Sequence, residues 1–194
     1  MSRPITIGSA NILGAAESVL RQHGGSPLTL ERVATAAKCA KGLVHYHFGS
    51  RSKLLAAVND QLWDARERNW VAALRGSSPE VCVRQSWTLL SNEAAQGITR
   101  AWLALLVEPD AHILQAAKRR MDRFETVILD AATALFESVG LVPTIAAPEL
   151  GRLLAAGIHG LGVQLVAHGR NQTLEAAYSA LWLAALSLTQ PKNG

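Results

Sequence analysis

A chain of 194 residues with 49% apolar side chains can bury a substantial core, and with 18% charged residues it is too hydrophobic for intrinsic disorder. The net charge of +4 is uneven: residues 1–58 hold seven Lys or Arg against Glu17 and Glu31, and the remainder is close to neutral. A uniformly polyanion-coating protein is thereby excluded, and any polyanion partner is directed to the front of the chain.

Period-2 alternation is nearly absent and Ala and Leu fill most segments, so an all-α chain is expected. Ile12, Ala15, Ala16, Val19 and Leu20 form one stripe, which predicts a helix over Ser9–His23 ended by Gly24-Gly25. Pro27 then precedes a cap at Thr29. Val33, Ala34 and Ala37 recur at helical spacing, Lys38-Cys39-Ala40 breaks the pattern, and Val44 with Phe48 resumes it, which is a helix-turn-helix layout. Ser50 or Ser52 caps a long helix from near Arg51 to about Arg75, carrying Leu54, Leu55, Val58, Leu62, Trp63 and Trp70 and ending at Gly76-Ser77-Ser78. Pro79 opens the next helix, to about Gln96, and a shorter one over Ile98–Val107 stops before Pro109.

Asp110 is placed to cap a long amphipathic helix from His112 to Val139, with Ile113, Ala117, Met121, Phe124, Ile128, Ala131 and Leu135 inward. Gly140 ends it and Leu141–Pro148 reads as a linker. A helix from Pro148 and Glu149 to His168 is closed by Gly169, and a last one is capped at Thr173 and ended by Pro191. The total is about nine helices, three in front and roughly six behind. Leu150 to Ala167 is the most apolar run, but Arg152, His159 and Gln164 fall on different faces, so it is not read as a membrane span.

In the second helix of the helix-turn-helix, the inward pair Val44 and Phe48 leaves Lys41, Gly42, Leu43, His45, Tyr46 and His47 facing away from the core. Lys41, near the helix start, can reach a base edge or a phosphate. Gly42 costs helix stability and permits close backbone approach, and Leu43 can touch a thymine methyl. Tyr46 and His47 can donate to phosphate oxygens, Arg51 and Lys53 extend that footprint, and Thr29 lies at a helix N-terminus opposite.

The Thr29, Val33, Ala34 start, the stretch Lys41-Gly42 to Tyr46-His47-Phe48 and the following Ser50 to Leu55 resemble the TetR family of one-component bacterial regulators. The resemblance covers the first quarter to third of the chain, with Lys38 and Ala40 in the break and His45 in the aromatic run as departures. It implies a TetR-like fold: a helix-turn-helix DNA-binding domain over 1–55 and a ligand-binding and dimerisation domain over 56–194 made of a helical bundle. It implies a homodimeric repressor of a pseudo-palindromic operator on double-stranded DNA, released by a small-molecule effector, with the long helix beginning at Arg51 as the lever. In such proteins the later helices enclose a pocket, and here the helical phases offer Trp87, Trp102, Leu106, His112, Met121 and Phe124 as its wall, plain core packing being the alternative for each. The dimer surface implied is a four-helix bundle from the last two helices, through Gly157, Gly160, Leu161, Gln164, Leu165 and His168 on one and Ala177, Leu181, Ala184, Ala185 and Leu188 on the other.

Other chemistry has little support in the residues. His45 and His47, two apart on a helix, point to different sides, so no metal site is expected. Glu108, Asp110 and His112 are the only compact acid and His cluster, but they surround a helix break where capping accounts for them, and no enzymatic function or cofactor is expected. Cys39 and Cys82 have no Cys-x-x-Cys spacing and the sequence shows no signal peptide with a charged start and continuous apolar core, so free thiols, the cytoplasm and no membrane partner are expected. The alternative from another class is an all-α small-molecule-binding protein or enzyme that retains the N-terminal domain.

Overall fold

The computed structural model describes residues 8–24, 28–76 and 78–192; Gly25, Pro27 and Ser77, invoked above as breaks, lie outside them. Among the described residues the chain is helical apart from one short strand pair: α1 Ser9–His23, α2 Leu30–Ala36, α3 Lys41–Phe48, α4 Arg51–Ala73, α5 Pro79–Ala95, α6 Ile98–Leu106, α7 Ala111–Glu137, β1 Leu141–Pro143, α8 Ala147–His168, α9 Gln172–Ser187 and β2 Thr189–Pro191. The all-α expectation therefore holds. The segment read as a linker departs from it, because Leu141, Val142 and Pro143 pair antiparallel with Pro191, Gln190 and Thr189. A three-residue pair between distant segments has no local signal, since its ladder partners come from the far end of the chain.

Local caps set most helix starts. Thr29 accepts from the Arg32 N–H at 3.2 Å, Ser50 from Lys53 at 3.2 Å, and Asp110 from His112 at 2.9 Å. The last helix starts two residues earlier than expected. Asn171, in extended backbone, accepts from the Leu174 N–H at 3.0 Å, and Thr173 lies inside the helix.

The residues group into two compact units. The first takes the chain up to Trp63 together with Gly97–Lys118, so α1 to α3, the first part of α4, α6 and the start of α7 share a core. Ile12, Ala16, Leu28, Val33, Val44, Leu54, Leu55 and Val58 are buried in it, and Trp63 lies 6.3 Å from Trp102 between ring centroids. Gly97 opens α6 at φ +77°, and a Cβ there would stand 2.3 Å from the Arg21 carbonyl oxygen, so only glycine fits this approach to α1.

The second unit comprises Asp64–Gln96 and Arg119–Gly194. Here α5 packs on α8 and α9, with Trp87, Leu90, Phe124, Ile128, Leu154, Ile158, Tyr178 and Trp182 buried. A charged cluster sits inside: Arg66 bonds Glu93 at 3.0 Å and His159 at 3.0 Å, and the Trp70 indole donates to Glu93 at 2.9 Å. The Arg66 guanidinium also lies 4.1 Å over the Phe124 ring, which stacks on His159 at 5.1 Å. Burial, and then the charge of Arg66, push the His159 imidazole down to about 3, so it is neutral and accepts from Arg66. The helix α8 is long and apolar enough to cross a membrane by composition, yet Leu150, Leu154, Ala155, Ile158, His159 and Leu165 are buried, as in a core helix.

Candidate nucleic-acid interface

Two short helices and a tight turn build the site. α2 ends at Ala36, and the chain reverses through Lys38 at φ +53°, with the Cys39 N–H bonded to the Ala34 carbonyl at 2.9 Å. Lys38 is the only described non-glycine residue with positive φ, a conformation that costs about 1 to 2 kcal/mol when a Cβ is present. The recognition helix α3 is pinned by Val44, fully buried, with Leu43 and Phe48 half-buried.

That anchoring turns Lys41, Gly42, His45, Tyr46 and His47 to solvent. Tyr46 is 81% exposed, which no core requirement explains, and its ring meets His47 edge-on at 5.3 Å. A Cβ built on Gly42 meets nothing within 4 Å, so nothing within the protein requires glycine there. The surface is left low at a point where a second backbone can approach. Lys41 is held by Glu31, which keeps the Glu31 carboxyl below its ordinary range. Both groups are exposed, so a phosphate or a base edge can displace the carboxylate.

The flanking positions divide. Lys53 is exposed beside Gly49, whose N–H closes α3 on the His45 carbonyl at 2.7 Å. Thr29 is committed to its cap. Arg51, expected to extend the phosphate footprint, is instead occupied within the protein. Its Nε donates to the Leu28 carbonyl at 2.5 Å, and its two terminal nitrogens to Glu108 at 2.7 and 2.9 Å. Asp110 accepts from the Ser52 hydroxyl beside it. The acid cluster around Pro109 thus anchors the start of α4, a role invisible to sequence reasoning because the partners lie 57 and 58 residues apart.

The six side chains grouped as a ligand wall are divided between the two units. Trp102, Leu106 and His112 belong to the first unit, Trp102 buried and His112 exposed. Trp87, Met121 and Phe124 belong to the second, where Phe124 is taken up by the Arg66 cluster and Trp87 alone of the six lines the cavity of about 600 Å³ between α5, the end of α7 and α9. On the last two helices, Leu165 and Ala185 are buried, and Gly157 approaches Leu181 so closely that a Cβ would lie 2.6 Å from it. Leu161 and Leu188 are half-buried, whereas Gly160, Gln164, His168, Ala177 and Ala184 are exposed. The exposed apolar stripes are Leu153, Ala156, Gly160, Val163 and Ala167 on α8 and Ala176, Ala180, Leu183 and Ala184 on α9. The helical phase differs because α5 draws one face of each helix inward.

A helix-turn-helix with an exposed, donor-rich recognition helix, carried on an otherwise helical chain, defines a DNA-binding regulator. Residues 12–58 match the family described as bacterial regulatory proteins, tetR family. That match places a TetR-type helix-turn-helix over residues 12–58 of a DNA-binding transcriptional regulator. Its fold is shared with reduced NemR from E. coli at 14% identity and a TM-score of 0.77, covering 95% of this chain and 98% of that one. It is shared with a TetR transcription regulator from Haloarcula marismortui at 20% identity and 0.70, covering 93% and 97%. It is shared with SmeT, the repressor of the Stenotrophomonas maltophilia multidrug efflux pump SmeDEF, at 19% identity and 0.62, covering 95% and 91%. No curated protein sequence matches the chain.

Proposed function

We propose that the protein is a cytoplasmic repressor that binds a pseudo-palindromic operator as a homodimer and releases it when a small-molecule effector binds. The observation that carries the reading is the bare surface of α3: Gly42 without a packing reason, flanked by exposed Lys41, His45, Tyr46 and His47. Lys41 supplies base or phosphate recognition, Tyr46 and His47 supply phosphate donors, and Lys53 extends the footprint. The stripes of α8 and α9 support self-association, because small and apolar side chains at i, i+3 and i+4 spacing lie open to solvent. A two-fold dimer then presents half-sites about 34 to 36 Å apart. An effector that prefers the dimer state with the wrong half-site spacing releases the DNA, for which a coupling of about 1 to 3 kcal/mol suffices.

In vitro selection of bound duplexes tests this directly. The expected result is an enriched two-fold site whose affinity falls with salt on a negative log-log slope. Selection of no site, or a Lys41→Ala, Tyr46→Ala double variant that binds it as tightly as the parent, overturns the assignment.

A further inference from the structure

The cavity between α5, the end of α7 and α9 is walled by Trp87, Phe136, Tyr178, Trp182, Leu135 and Leu141. Its volume of about 600 Å³ falls within the range of roughly 300 to 1,000 Å³ that small-molecule sites occupy. The aromatic side is ordered, with Trp87 and Tyr178 at 5.5 Å, Tyr178 and Trp182 at 6.4 Å, and the Tyr178 hydroxyl fixed on Ser86 at 2.6 Å. Three of the seven large apolar side chains exposed among the described residues, Val139, Leu183 and Leu186, open into this one groove. Concentrated exposure of that kind marks a binding surface rather than scattered surface apolarity.

Charge at the mouth is balanced. Glu80 and Glu175 stand against Arg84, and Arg170 lies 3.9 Å from Glu175 with its guanidinium 5.8 Å from the Trp87 ring. A charged ligand therefore gains little net attraction and must displace an ion already seated on the aromatic wall. We infer that this groove binds uncharged, flat aromatic molecules, with the rings between Trp87, Tyr178 and Trp182 on one side and Leu135, Phe136 and Leu141 on the other. As the route to operator release, the inference rests on the effector reading above.

The test uses the full chain without DNA, at concentrations where sedimentation reports its oligomeric state. Three dyes are compared by fluorescence: uncharged N-phenyl-1-naphthylamine, its anionic relative 8-anilinonaphthalene-1-sulfonate, and cationic thioflavin T. Saturable binding of the uncharged dye, about tenfold tighter than either charged one, is expected. Val139→Glu and Ser179→Trp, both at exposed groove positions, should each weaken it about tenfold or more, and Val107→Glu, at an exposed position after α6 in the other unit, should leave it unchanged. Tighter binding of a charged dye, indifference to the two groove variants, or loss with Val107→Glu overturns the inference. So does binding confined to the monomer fraction, which would assign the groove to a second copy of the chain. Operator release is read separately: a dye that fills the groove without releasing DNA supports the site and removes the effector reading alone.

Discussion

Arg51 and Glu108 meet through two charge-assisted hydrogen bonds, at 2.7 and 2.9 Å, while the Arg51 Nε holds the Leu28 carbonyl just before α2. One guanidinium therefore ties the start of α4 to the segment entering the helix-turn-helix and to the α6–α7 turn. The fork geometry of arginine is required, because an ammonium cannot span a carboxylate and a carbonyl with three directed donors. Arg51→Lys or Glu108→Gln should lower stability by about 1 to 3 kcal/mol in urea unfolding and weaken operator binding, although neither side chain touches DNA in our account. Lost stability with unchanged operator affinity would show that the pair does not position the reading head.

Gly42 and Gly97 should respond in opposite ways to alanine. Gly42→Ala adds a methyl in open space on a helix, so the protein should gain about 1 kcal/mol while operator affinity falls. Gly97→Ala places a methyl against the Arg21 backbone at positive φ, and a loss of about 2 to 5 kcal/mol is expected. Denaturant midpoints for both variants, with operator titrations for the first, check this. Unchanged operator affinity for Gly42→Ala would argue against close DNA approach at that position.

Lys38 occupies a left-handed turn that glycine adopts without strain. Lys38→Gly should raise the urea midpoint by the equivalent of about 1 kcal/mol, and Lys38→Ala should give no such gain because it keeps the Cβ. Equal effects from the two substitutions would place the cause in the lost charge instead.

His159 should make stability depend on pH above the carboxylate range. Its imidazole is held down to about 3 in the folded chain by burial and by Arg66, against an ordinary value of 6.5. The unfolded chain therefore binds a proton that the folded chain refuses between those values, and the favourable contribution, fully present above 6.5, is lost as pH falls. Between about pH 6 and pH 5 the slope should approach about 1.4 kcal/mol per unit from this group. Unfolding midpoints across that window, compared with His159→Gln, measure it. A parent and variant with parallel pH profiles would dismiss the titration.

Much of the helical frame was legible beforehand because its signals are local. Thr29, Ser50 and Asp110 each bond an N–H two or three residues on, so a cap and its helix sit within one reading window. Asn171 was missed in favour of Thr173 because both residue types cap, and only backbone geometry chooses between them. For the interface, the exposed set on α3 followed from burying Val44 at a known helical phase. The fate of Arg51 did not follow, since nothing near it in the chain indicates Glu108.

By itself, the sequence determined that the chain is helical, where its helix-turn-helix begins and which residues of α3, half-buried Leu43 apart, face away from their core. Those properties depend on a 3.6-residue period, on caps within a turn and on one buried anchor. Tertiary structure alone decided that Arg51 is spent on Glu108, that Leu165 and Ala185 turn inward, and that Arg66, Glu93 and His159 share a buried cluster. Each of these depends on which distant surface covers a given helix face, and burial by a remote partner changes a side chain's electrostatics and packing without leaving a mark in the residues beside it.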